Sequence, residues 1–102
     1  STSPSTDKCC LRAAALAPQF DQALANVLAV LAVAGGAASH ICRMTAYCSD
    51  RPAYLAARPD LGAIWRHRMG RHYPAMSMIF VSDLLDRPAC IELEATAVLP
   101  FV

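Results

Sequence analysis

Residues 41–49, ICRMTAYCS, alternate without a break: Cys42, Met44, Ala46 and Cys48 fall on one phase, Arg43, Thr45, Tyr47 and Ser49 on the other. Successive side chains of an extended chain point to opposite faces, so this period predicts a half-buried strand whose apolar phase, Cys42 and Cys48 included, faces a core. Upstream the period changes. Phe20, Leu24, Val27, Leu28 and Leu31 recur at the spacing of one helix face, Asp21 sits in the expected first turn, and Gly35-Gly36 supply a stop. A strand that buries one face beside a helix that buries one stripe predicts helices layered on a sheet.

The rest of the chain extends that layer. Asp50 and Pro52 suit the cap and first turn of a second helix, Pro59 predicts an interruption with a restart at Asp60, and Gly70 ends it. Leu61, Ile64, Trp65 and Met69 form its apolar stripe. Strands are expected at residues 76–84 and 90–99, joined by the turn residues LDRP. The order helix, strand, helix, strand, strand describes an α+β fold with two helices on one face of a small sheet. Residues 20–102 form the domain, and residues 1–19, Ser/Thr/Pro-rich and then alanine-rich, read as an irregular arm or a short strand around Cys9 to Ala15.

A chain of 102 residues has a thin core unless subunits share one. Hydrophobic residues make up 56 % and charged residues 17 %, a balance that leaves apolar surface for another chain to cover. The strand at 76–84 is apolar on both phases, which points to burial against copies of itself. A net charge of +1 steers the chain toward neither nucleic acid nor an anionic membrane. The uncharged stretch from Gln22 to Cys42 is interrupted by Asn26 and the glycine pair, so a buried helix is expected rather than a membrane span. No secretory pattern opens the sequence, which predicts a cytoplasmic protein.

Three clusters could carry chemistry. The strand IELEATA sets Glu92, Glu94 and Thr96 on one face and Ile91, Leu93, Ala95 and Ala97 on the other. Exposed carboxylates are ordinary, and acid–base work would require their burial. Five cysteines without a Cys-x-x-Cys spacing read as reduced thiols, with no metal site and no cofactor implied; the Cys9-Cys10 pair has no regular ligand partner. RHRMGRH gathers Arg66, His67, Arg68, Arg71 and His72 beside Trp65, but no basic stripe or aromatic platform accompanies it, so a solvated helix face is favoured over an RNA site. His67 and His72 are spaced poorly for a metal.

QALANVLAVLAVAGG, ICRMTAYCSD, a Trp-bearing helix ending at Gly70, YPAMSMIFVSDL and IELEATAV, in that order, resemble the RidA/YjgF/UK114 family of small trimeric proteins from about Asp21 to Pro100. The resemblance implies a chorismate-mutase-like α+β fold, a homotrimer whose sheets line a central barrel, and small-molecule clefts between subunits. It implies hydrolysis of reactive enamines and imines to ketoacids and ammonia, without a cofactor. By the match, Glu94 is the glutamate that positions the attacking water, whereas Glu92 stays structural or exposed. The arginine that grips the substrate carboxylate falls on Met76, the small thiol position on Met78, and Ser77 lies between them as a possible hydrogen-bond donor. Methionine cannot hold a carboxylate, and losing such a fork removes several powers of ten in affinity unless Arg43, Arg71 or Arg87 reaches the cleft. Residues 1–19 would then be the remnant of the family's first hairpin. A non-catalytic binder or structural trimer is the alternative function, and RNA cleavage a third.

Overall fold

The computed structural model describes residues 4–85 and 89–99, with side chains from Ala14 onward. The chain runs α1 (Pro4–Val33), a 3₁₀ turn (Ala38–His40), β1 (Ile41–Cys48), α2 (Arg51–Met69), β2 (Ala75–Phe80) and β3 (Ile91–Ala97). The strands form one mixed sheet in the order β2-β1-β3. β1 and β2 run parallel, with α2 as the crossover that parallel neighbours need, and β3 returns antiparallel along the other side of β1. This is the expected α+β layer, with both helices on one face.

The core lies between the helices and that face. α1 contributes Leu16, Phe20 and Leu24, and α2 contributes Ala53, Ala57, Leu61, Trp65 and Met69, each series spaced by four. Ile41, Met44 and Cys48 of β1 and Ile91 of β3 meet them from the sheet. Burying each large side chain contributes about 1.5–3 kcal/mol, and the two alanines at the start of α2 let its backbone approach.

The structure corrects four local expectations. The arm or short strand expected over residues 1–19 is helical from Pro4 onward. Ala, Leu, Lys and Arg are strong helix formers, and Pro18 is tolerated because the carbonyl it leaves without a donor, on Ala14, lies at an exposed residue. Asp21 is therefore mid-helix and not in a first turn, and it pairs with Arg68 of α2. α2 passes through Pro59 without a break, since Leu55, whose carbonyl loses its donor there, is exposed to solvent and the buried stripe continues on the far side. Strand β2 ends at Phe80 rather than running to Leu84.

The fourth correction concerns Cys42, which is exposed while Cys48 is buried. A bulge between Ile41 and Arg43 inserts Cys42 as an extra residue, so Ile41 and Met44 share the helix face although three positions separate them. The Cys42 thiol turns to the Thr96 carbonyl at 3.4 Å.

The helix boundaries follow their sequence signals. Asp50 caps α2, accepting from the Ala53 amide at 3.1 Å, and Gly70 ends it at φ 64°. The exit of α2 is then latched to β1: the Trp65 indole donates to the His72 carbonyl at 3.1 Å, and His72 Nε2 donates to the Ile41 carbonyl at 2.6 Å. The stretch Ala14–Val33 is long and apolar enough to cross a membrane by length and composition, with mean hydropathy 1.3. Its Leu16, Phe20 and Leu24 stripe packs on the sheet, as in the core helix of a globular domain.

Candidate ligand-binding site

The face of the sheet without helices carries a polar row. Thr45, in the middle strand, pairs with Ser77 of β2 on one side and Glu94 of β3 on the other. Paired residues project to the same face, so the three side chains stand in line, with Ser77 and Glu94 two strand spacings apart, roughly 10 Å. Thr45 is buried between its exposed neighbours. The next row holds Ile79, Tyr47 and Glu92, and the one before it Ala75, Arg43 and Thr96.

Arg43 is thus on the face of Glu94, one row away. It is exposed and has no carboxylate partner among the described residues. Of the three arginines named as substitutes for the missing anchor, Arg43 shares this face, Arg71 is exposed in the loop after α2, and Arg87 lies outside the described residues.

Met76 and Met78 project to the opposite face. They pair with Met44 and Ala46, whose side chains are buried under the helices. Register across β1 therefore separates them from Ser77 and Glu94, although β2 is an edge strand and Met76 is 43 % exposed at its rim. On the helix side they line a pocket of about 220 Å³ with Phe20, Tyr54, Trp65 and Arg58. Arg58 drew no notice in the sequence. It is exposed at the rim of this pocket, beside the buried stripe of α2.

A larger groove of about 540 Å³ runs between the end of α1 and β3, lined by Val27, Val30, Leu31, Leu93 and Ala97, with Asn26 and Glu92 at its polar points. Among the described residues no three His, Cys, Asp or Glu side chains come together in a metal-binding arrangement.

The RHRMGRH cluster is dispersed by the fold. Arg68 is bound to Asp21 at 2.8 Å and His72 is engaged by the Ile41 carbonyl, while Arg66, His67 and Arg71 are exposed separately. The Arg68 hydrogen bond lowers the Asp21 carboxyl below its ordinary range, and the same bond raises Arg68. Burial raises the Cys48 and Cys90 thiols, which are held by neighbouring polar groups: Cys48 reaches the Asp50 carbonyl at 3.5 Å and Cys90 the Gln19 side-chain oxygen at 3.2 Å.

Taken together, these features define a small α+β domain with helices on one side of its sheet and a polar ligand-sized row on the other. The chain belongs to the endoribonuclease L-PSP family, the YjgF/UK114 or Rid proteins, whose family model matches residues 2–99. It is similar to a Rid-family protein of unknown function from Yersinia pestis, with 36 % identity and a TM-score of 0.70 over 82 % of this chain and 62 % of that one. A candidate translation initiation inhibitor from Vibrio vulnificus is 32 % identical, with a TM-score of 0.71, over 82 % of this chain and 65 % of the other. A YjgF/YER057c/UK114-family protein from Mycobacterium tuberculosis shares the fold at 24 % identity and a TM-score of 0.66, covering 78 % and 64 % of the two chains. The chain spans less than two thirds of the length of each of these structures. No curated protein matches it.

Proposed function

We propose that this chain is a diverged Rid-type hydrolase that converts a small reactive enamine or imine to a carbonyl compound and ammonia, in a cleft between the subunits of a cytoplasmic homotrimer. Glu94 activates the attacking water, Ser77 orients the ligand, and Met76 and Met78 give it an apolar wall across the free edge of β2. The observation that carries the reading is the row Ser77–Thr45–Glu94 on the uncovered face, which offers an acceptor and a hydroxyl about one small molecule apart.

The chemistry needs little more. Water adds to the C=N carbon while Glu94 takes one of its protons and passes it to nitrogen; as the carbinolamine collapses Glu94 carries the hydroxyl proton to nitrogen as well, so that the C–N bond breaks, a carbonyl forms and ammonia leaves. A carboxylate on the substrate would find Arg43 on the same face, in place of the arginine whose position Met76 occupies. The anchor is displaced, and the preferred substrate need not carry the usual carboxylate.

A second reading, a non-catalytic binder or structural trimer, draws support from Met76 itself, because an apolar side chain at the anchoring position removes the family's charge-assisted grip. RNA cleavage has less behind it, since the basic cluster is scattered. The test is ammonia release from 2-iminopropionate generated in situ by an amino-acid oxidase, and from an uncharged imine, for the wild type and Met76→Arg. Acceleration of either imine by the wild type is expected. If the wild type accelerates neither and Met76→Arg gains activity, the binder reading stands, and light scattering that returns a monomer would remove the intersubunit cleft.

A further inference from the structure

We propose that the outer edge of β3 accepts an extended segment of another polypeptide as a further strand, with apolar residues of one phase filling the groove beside α1 and basic residues of the other facing Glu92. The proposal rests on backbone groups that the row Ser77–Thr45–Glu94 does not use, so it holds whether or not the uncovered face hydrolyses imines.

The ladder between β1 and β3 shows which groups are open. Opposed residues of an antiparallel pair alternate between exchanging both backbone hydrogen bonds and exchanging none. The Ser49 amide donates to the Cys90 carbonyl at 3.0 Å, and the Val98 amide donates to the His40 carbonyl at 2.9 Å. Even-numbered residues of β3 therefore turn their backbone groups to β1, whereas Ile91, Leu93, Ala95 and Ala97 turn theirs outward. No described strand lies on that side, because β3 ends the order β2-β1-β3. The open edge is seven residues long, roughly 23 Å. It contains neither proline nor lysine, and the bulge of the ladder lies in β1, so its backbone is free to pair.

The outward residues also line the groove. Leu93, Ala95 and Ala97 form one wall of its 540 Å³, and Ala23, Val27 and Val30 of α1 form the other. A strand laid along β3 would satisfy the outward amides and carbonyls and set every second side chain in that groove; a small molecule would fill the groove and leave the edge unpaired. Glu92 selects the other phase, since it is half-buried and has no cation within ion-pair distance among the described residues. A second copy's β3 is the poorer occupant. The fullest antiparallel overlap would oppose Glu94 to its own counterpart, and like charges directly opposite destabilise a pair.

The experiment follows the fluorescence anisotropy of a labelled peptide as long as β3, alternating valine and lysine with blocked ends, on titration with the protein. Saturable binding is expected, at least tenfold weaker for a form methylated on its backbone nitrogens and for a form with glutamate in place of lysine. Ala95→Pro removes an outward amide without touching the ladder with β1, and is expected to abolish binding with the circular dichroism unchanged. Val30→Asp, at a groove residue 73 % exposed, leaves the backbone alone and is expected to weaken binding at least threefold. Absence of saturable binding, equal affinity for the methylated or the glutamate form, or undiminished binding by either variant would overturn the proposal. So would an oligomer that dissolves in Ala95→Pro, which would give the edge to a second copy.

Discussion

Ser77 and Glu94 flank Thr45 from opposite edges of the sheet, on the face that no helix covers. Neither is near the other in sequence, and both are set by their pairing with the middle strand. Arg43 follows from the same register: it lies two residues before Thr45 on β1, on the same face, and diagonal to Glu94 at roughly 7–8 Å.

Replacing Arg43 by Gln is expected to raise KM for 2-iminopropionate at least tenfold, leaving an uncharged imine within about twofold, because one charge-assisted hydrogen bond is worth about 1.5–3 kcal/mol. Steady-state ammonia release for both substrates decides it. An equal effect on the two would mean that Arg43 acts on the fold and not on the ligand.

The Asp21–Arg68 pair ties α1 to α2 at a partly exposed position. Its hydrogen bond lowers the Asp21 carboxyl below the ordinary value of 3.8, so the folded state favours the ionised form. That stability is present above the ordinary carboxylate range and is lost as pH falls through the lowered value. Urea unfolding of the wild type and Asp21→Asn should therefore differ at pH 7 and converge as pH falls through the lowered value; curves that keep a constant offset down to acid pH would exclude the pair as the cause.

Gly70 ends α2 at φ 64° and ψ −128°, a region that L residues rarely enter. A Cβ added there meets nothing within 4 Å. Gly70→Ala is accordingly expected to lower stability by about 1–3 kcal/mol through backbone strain alone, measured by chemical denaturation. A neutral result would show that the exit loop relaxes to another conformation.

Cys48 and Cys90 are pushed up in pKa chiefly by burial, so their thiols stay protonated above the ordinary value of 9.0. The stability this contributes is fully present below that value and fades as pH rises through the raised ones. Alkylation mapped by mass spectrometry at pH 8 should modify exposed Cys42 at least tenfold faster than Cys48. Comparable rates would mean that the strand opens at Cys48 in the native state.

Much of the fold was legible because its signals are local. The stripes of Leu24 in α1 and of Leu61 and Trp65 in α2, the Asp50 cap, the Gly70 stop and the alternation of β1 are each set within a few residues, and together they define the α+β order. The departures came from elsewhere. The bulge that exposes Cys42, and the passage of α2 through Pro59, depend on what packs or fails to pack on the far side. The sequence names candidate site residues but not the face of the sheet that each takes. Met76 and Glu94 are close in a family match, yet which side of the sheet each takes depends on pairing across β1, where a shift of one residue reverses every side chain.

Glu94 and Glu92 lie on the same face of β3, but the Glu94 row ends in the Ser77 hydroxyl and the Glu92 row in the Ile79 side chain. The rate of imine hydrolysis in Glu94→Gln beside Glu92→Gln, with both variants checked for native oligomeric state, separates them. A general base contributes about 10²–10⁴-fold, so Glu94→Gln should fall at least a hundredfold while Glu92→Gln remains within about fivefold of the wild type. Full activity in Glu94→Gln, or a loss confined to Glu92→Gln, would contradict the assignment of Glu94 as the group that activates water.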